Sequence, residues 1–196
     1  MAEHTMNTPK IAPVTMDDEL ASFIDRQIDG LSWFLTPTET RGPPINDKPC
    51  PTTWCRAPVF TYSLVERNNP RFFTPVYTDL RWTSRFKPVF DQWIADQGMT
   101  AAHISRATIN CSLHQPYDHC EPHMDQSFPH YVWLWYLDTV DAPTILFDQD
   151  LNITHRIPCV KNTAVCFDGS QLHAQSYPPP CTPRRVLVVN FGDKII

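Results

Sequence analysis

The spacing of apolar residues settles into a succession of short strand-like runs after Gly98. Upstream, two stretches carry apolar residues at helical intervals; downstream, short runs alternate apolar and polar residues as half-buried strands do. The first helical stretch spans Met16 to Ile28, where Leu20, Phe23, Ile24 and Leu31 recur on one side until Gly30 interrupts them. Thr15 stands at the capping position, and Asp17 and Asp18 favour the positive end of the helix. The second stretch fits Pro88 to Gln97, with Phe90, Trp93 and Ile94 facing inward and Gly98 available to close the C-terminus. Both helices are expected to support a sheet rather than to form an active site.

Between them, Trp33 to Phe86 is rich in aromatic residues and proline, with strand patterns near Pro58 to Val65 and Arg71 to Tyr77. Its loop, Thr38 to Cys55, reads either as a solvated connection or as a substrate-recognition wall. Beyond Gly98 the predicted strands are Arg106 to His114, His119 to Met124, His130 to Leu137, Thr144 to Asp148, Asn152 to Ile157, Thr163 to Phe167, Gln171 to Gln175 and Arg184 to Phe191. Pro, Asp, Gly and Asn punctuate them as turns require. Eight such strands can close into two facing sheets whose mouth supports a metal. The expected fold class is mainly β: a double-stranded β-helix, or cupin-like jelly roll, with supporting N-terminal α-helices. One domain should cover residues 1–196, with its core at 105–191 and a flexible or poorly anchored arm at 1–14.

Composition narrows the setting. Twenty prolines against five glycines argue against a helical bundle, and 196 residues with 42% hydrophobic content suffice for one substantial core. Sixteen Lys and Arg against twenty-one Asp and Glu give a formal charge of -5, so no global basic field calls for nucleic acid. The N-terminus lacks a signal-like apolar run and no stretch is long enough to span a bilayer, so a cytoplasmic enzyme without a membrane partner is expected. Seven scattered cysteines form no disulfide framework, and Cys50 with Cys55 lacks a second pair to complete a structural zinc site.

The chemistry concentrates at His123-x-Asp125. On a strand, two residues one position apart point to the same face, while Met124 points away. Alone the tripeptide has little specificity in a chain with eight histidines. His173 follows the turn Asp168-Gly169-Ser170 and opens the penultimate strand, which makes it the candidate third ligand. Two imidazoles and one carboxylate suit non-haem Fe(II) with coordination positions left open, and Mn(II) or Zn(II) fit the same donors.

The ordered set His123, Asp125, His173 and Arg184 resembles the Fe(II)/2-oxoglutarate-dependent oxygenase superfamily, in particular its prolyl-hydroxylase-like and phage or bacterial small-molecule branches, over Ser105 to Phe191. The resemblance implies that Fe(II), 2-oxoglutarate and O2 are used, with release of succinate and CO2. Arg184 matches the arginine that grips the remote carboxylate of 2-oxoglutarate; it shares a strand face with Val186, Val188 and Asn190, whereas Arg185 is expected to face solvent. Tyr136 matches a tyrosine that reaches the same carboxylate, with Val132 and Leu134 beside it and Trp133 and Trp135 packed behind. Ser112 and His114 stand where related enzymes use Asn and Tyr for cosubstrate contacts, a departure that leaves His114 open to an ordinary histidine reading. Asn190 is a candidate near the metal-proximal carboxylate, and Gln126, Arg41 and Trp54 are candidates for substrate contact. The expected substrate is an amino acid, peptide or other small metabolite that is hydroxylated. Alternatives are a nucleic-acid base oxygenase or demethylase, a cupin-like metalloenzyme that ignores 2-oxoglutarate, and a noncatalytic binding jelly roll. No motif fixes the oligomeric state.

Overall fold

Asp17, rather than Thr15, begins the first helix: its carboxylate accepts a hydrogen bond from Leu20 N at 2.7 Å, and helix α1 runs Asp18–Arg26. Asp at this position satisfies an orphan amide and complements the helix dipole together. Helix α2 spans Lys87–Asp96, with Pro88 near its start, and continues a π-helical turn, Trp82–Phe86. Gly98 closes it at φ 66°, a left-handed conformation that glycine adopts without a steric penalty. The computed structural model describes Met6 and residues 8–36, 54–55, 59–66, 77–101 and 103–192.

Thirteen strands follow in chain order: β1 Lys10–Pro13, β2 Phe34–Thr36, β3 Trp54–Cys55, β4 Val59–Glu66, β5 Tyr77–Thr78, β6 His103–Ser112, β7 His119–Cys120, β8 Tyr131–Tyr136, β9 Val140–Phe147, β10 Ile153–Cys159, β11 Thr163–Asp168, β12 His173–Gln175 and β13 Arg184–Gly192. The large sheet has the order β1-β11-β8-β13-β6-β4-β2, with β5 added beside β4. A smaller sheet, β10-β9-β12, faces it, and β3 pairs with β7 in a two-stranded ribbon. All pairings in the two larger sheets are antiparallel, the arrangement of a jelly roll.

Alternation on the large sheet separates two cores. Its outer face presents Trp133, Trp135, Leu187, Val189, Ala107 and Ile109 to the helices, where Phe86, Phe90 and Trp93 meet them. Phe90 and Trp133 pack edge to face with centroids 5.3 Å apart, a geometry that adds to the transfer energy of each buried ring. Its inner face contributes Val132, Leu134, Tyr136, Val165, Phe167, Val186 and Val188, which meet Leu146 and Ile157 from the small sheet. The roll therefore has an apolar interior of its own.

Two sequence expectations change, and a third lies almost wholly outside the described residues. The arm expected over residues 1–14 is shorter, because Lys10–Pro13 pairs with β11 and Val14 N donates to Asn162 O at 2.8 Å. The strand expected over His119 to Met124 stops at Cys120; Pro122 has no amide proton to continue a ladder, and His123 rejoins only through an isolated bridge to His173. Of the strand expected from Arg71 to Tyr77, only Tyr77 lies within the described residues. Among the described residues no helix is long and apolar enough to cross a membrane.

Candidate metal centre and the polar cluster beside it

His123, Asp125 and His173 converge, with their ligand atoms within 4.8 Å of one another. A reciprocal pair of backbone bonds, His123 N to His173 O and His173 N to His123 O, each 2.9 Å, locks the first segment to β12. The two rings lie with centroids 4.7 Å apart. Asp125 thus reaches the histidines from an irregular segment, not from the continuous strand the sequence suggested.

Both imidazoles are set in the tautomer that a metal needs. His123 Nδ1 lies 2.9 Å from Glu121 O, and His173 Nδ1 lies 3.1 Å from Gln171 O. A carbonyl only accepts, so each Nδ1 carries a proton, and in the neutral ring the lone pair then falls on Nε2. Those two Nε2 atoms each stand 3.7 Å from Asp125 Oδ1, within the span of two metal–ligand bonds of about 2.1 Å. Burial first, and then the neighbouring His173, lowers the His123 pKa and favours the neutral ring. Burial alone would raise the Asp125 carboxyl, but His173, Arg106 and His123 outweigh it and hold the group well below its ordinary range. Two imidazoles around a fixed carboxylate are the donor set of a divalent transition metal. Asn190 Nδ2 donates to Asp125 Oδ2 at 2.7 Å and so aims the carboxylate.

A second cluster lies two residues along β12. His173 and Gln175 share a face of that strand, so their Cβ atoms stand about 7 Å apart. Gln175 Oε1 accepts from Arg184 Nη1 at 3.1 Å and from Ser112 Oγ at 2.8 Å. Arg184 also donates through Nε to Ala142 O at 2.9 Å and through Nη2 to Thr144 Oγ1 at 2.9 Å. Thr144 Oγ1 accepts a further bond, 2.8 Å, from the Tyr136 hydroxyl, whose pKa burial pushes up to about 12. Arg184 is 3% exposed, and no carboxylate pairs with it among the described residues.

Of the sequence candidates, the structure brings together His123, Asp125, His173 and Asn190 at one end, and Arg184, Tyr136 and Ser112 at the other. Asn190 meets the carboxylate ligand itself. His114 departs from its expected position: it lies past the end of β6, exposed, with Nδ1 3.0 Å from Pro178 O. Gln126 Nε2 donates to Ser105 Oγ at 2.8 Å. Arg41 lies outside the described residues, and Trp54 is described only through its backbone pairing with His119. Arg185 is not a free solvent-facing charge; it forks onto Asp138 through Nε at 3.0 Å and Nη2 at 2.6 Å. Sequence reading passed over Thr144 and Gln175, whose identities carry no signal, and over β6. There the alternation Arg106, Thr108, Asn110, Ser112 against Ala107, Ile109, Cys111 marks a polar inner face directly.

No family model matches the chain, and no curated protein matches it in sequence. Solved structures do. An oxidoreductase of the 2OG-Fe(II) oxygenase family from Burkholderia pseudomallei aligns over 95% of this chain and 85% of its own, with a TM-score of 0.63 at 14% identity. A prolyl hydroxylase from Trichoplax adhaerens, solved with a hypoxia inducible factor peptide fragment, aligns over 96% and 84%, with a TM-score of 0.60 at 9% identity. A Pseudomonas putida prolyl-4-hydroxylase aligns over 95% and 93%, with a TM-score of 0.54 at 11% identity. The chain therefore has the jelly-roll fold of 2OG-Fe(II) oxygenases.

Proposed function

We propose that this protein is an Fe(II)- and 2-oxoglutarate-dependent dioxygenase that hydroxylates an amino acid, peptide or other small metabolite. The observation that carries this reading is a pairing: a metal-ready His123, Asp125 and His173 set, and, bonded to Gln175 two residues along β12 from His173, the buried guanidinium of Arg184, which has no carboxylate partner among the described residues. A five-carbon diacid would bridge the two, chelating at one end and pairing with Arg184 at the other. A cupin-like metalloenzyme that ignores 2-oxoglutarate, or a noncatalytic jelly roll, gives no reason to bury that charge.

In this reading His123, Asp125 and His173 hold the iron, which supplies dioxygen activation coupled to decarboxylation of 2-oxoglutarate to succinate and CO2. Asn190 fixes the Asp125 carboxylate, and the backbone carbonyls of Glu121 and Gln171 fix the ring tautomers. Arg184 with Ser112 and Tyr136 forms the cosubstrate end, and the apolar strip of Leu146, Val186 and Val188 covers the methylenes and excludes water. The test is anaerobic titration with Fe(II) and 2-oxoglutarate. A metal-centred charge-transfer band should appear in the native protein and vanish in His173→Ala; its absence from the native protein would reject the reading.

A further inference from the structure

The inner face of the large sheet carries a second guanidinium, at the opposite end from Arg184. In the β13–β6 register Arg184 faces Ser112, while Asn190 faces Arg106. Direct partners on adjacent strands share a face, and Asn190 is bonded to Asp125, so Arg106 stands on the metal's side of the sheet. Residues 107 and 109 confirm this phase from behind, since Ala107 and Ile109 pack in the outer core. Unlike Arg184, Arg106 is only half-buried; its side chain makes no hydrogen bond or ion pair among the described residues, although its charge acts on Asp125 and His123.

The wall around it is polar in the same sense. Thr108 follows on that face and is 3% exposed, yet its Oγ1 has no partner among the described residues; the Oδ1 of Asn110 and the Oε1 of Gln126 are likewise buried without one. On the next strand Ser63 faces Thr108. Buried polar atoms are almost always hydrogen-bonded, and orphans along the strand face that carries Arg106, with one more on the side chain bonded to Ser105, mark a surface shaped for a polar occupant. The cosubstrate reading uses Arg184, Ser112 and Tyr136 and not Arg106, Thr108 or Gln126; Asn110 stands between the two ends of the face.

We propose that Arg106 anchors the carboxylate of the primary substrate, which is a small carboxylic acid of the amino-acid class, held by Thr108, Asn110 and Gln126 through its remaining polar groups. This deepens the oxygenase reading and rests on it for the word substrate. Charge selects the monoanion. One guanidinium balances one carboxylate, whereas a phosphate dianion would leave excess negative charge beside Asp125. Arg106 is a binding and specificity residue, placed so that carbons adjacent to the acid lie toward the metal.

The test uses Zn(II)-loaded protein with 2-oxoglutarate and saturation-transfer NMR against a fixed panel: the twenty common amino acids, their N-acetyl derivatives and the methyl esters of both. At least one acid should bind, with its ester ten-fold weaker or worse. Arg106→Gln should erase the difference and Arg106→Lys should keep part of it. The proposal is overturned if no acid in the panel binds, if acids and esters bind alike, if Arg106→Gln matches the native protein, or if inorganic phosphate displaces the bound acid at equal concentration. Should Arg106→Gln fail to melt cooperatively, Arg106→Lys and the acid-to-ester ratio in the native protein decide. Failure of the oxygenase reading is separate: it shows as a missing 2-oxoglutarate-dependent band with Fe(II), and the acid-to-ester comparison can then be repeated on metal-free protein.

Discussion

Replacing Arg184 by methionine separates what the guanidinium does for binding from what it costs the fold. A carboxylate gripped by a guanidinium fork forms two charge-assisted bonds of about 1.5–3 kcal/mol each. Their loss, roughly 3–6 kcal/mol, raises the dissociation constant of 2-oxoglutarate by about 10²–10⁴-fold. Stability should move the other way or hardly at all. Among the described residues the Arg184 cation, 3% exposed, has no carboxylate partner, and a buried charge lacking its partner costs several kcal/mol. Methionine fills similar space and removes that cost. The bonds given up are those to Ala142 O, Gln175 Oε1 and Thr144 Oγ1, and the last two acceptors keep their bonds from Ser112 and Tyr136. Only Ala142 O is stranded, at about 1–3 kcal/mol.

The assay is the anaerobic charge-transfer titration with 2-oxoglutarate, run beside pyruvate, which chelates identically and lacks the remote carboxylate. In the native protein 2-oxoglutarate should outbind pyruvate by the same factor that Arg184→Met removes, and pyruvate affinity should not change. An affinity loss under ten-fold, or an equal loss for both ligands, would refute the assignment and leave Arg184 a structural residue.

Other expectations follow from single contacts. Asn190→Ala removes the bond that aims Asp125, so Mn(II) affinity should fall about 10–100-fold with the fold intact, read by metal titration and a thermal melt. Tyr136, whose pKa burial raises to about 12, keeps its proton in the folded chain after the unfolded chain has lost it. Its contribution is therefore constant below pH 10 and is lost toward pH 12, at roughly 1.4 kcal/mol per pH unit; Tyr136→Phe should flatten that part of the alkaline decline in urea unfolding. Gly169→Ala would set a Cβ 2.3 Å from His130 Nε2 and 2.4 Å from two ring carbons. Displacing that buried ring costs about 1–3 kcal/mol, a melting temperature lower by about 4–8 °C for a midrange value; an unchanged melt would show that the ring has room to move.

Much of this was legible in the sequence because alternation survives burial. The faces of β8 and β13 were readable residue by residue: Trp133 and Trp135 point to the helices, Val132, Leu134 and Tyr136 into the roll. The helix pattern located α1 and α2 to within two residues. What failed was local. A strand through Asp125 was inferred from the H-x-D spacing, although Pro122 lacks the amide that such a strand needs, and convergence is achieved by the bridge to His173 instead. The true cap was missed because Thr15, Asp17 and Asp18 all qualify chemically, and only backbone geometry distinguishes them. Thr144 and Gln175 could not be found, since their importance lies in which guanidinium they meet.

The placement of the two arginines bears on how one site distinguishes two carboxylic acids. Arg184 is sealed, and three of its N–H groups are committed to Ala142, Gln175 and Thr144, which fixes the plane of the fork before a ligand arrives. Its partner Gln175 stands one step of β12 from His173, so an acid bound at Arg184 would reach the metal only if its second chelating group lay at a set distance. Arg106 has no such bracing and sits across from Asn190, beside the metal ligand that Asn190 holds. An acid bound there is placed by the hydroxyl and amide groups of Thr108, Asn110 and Gln126, which can accommodate different lengths. In the proposed reading, rigid fixation at one end would select a single cosubstrate by its span, and looser polar contact at the other would select a substrate by charge and leave its carbon skeleton free to vary. The same acidic group can thus be recognised twice on one sheet without the two ligands exchanging places.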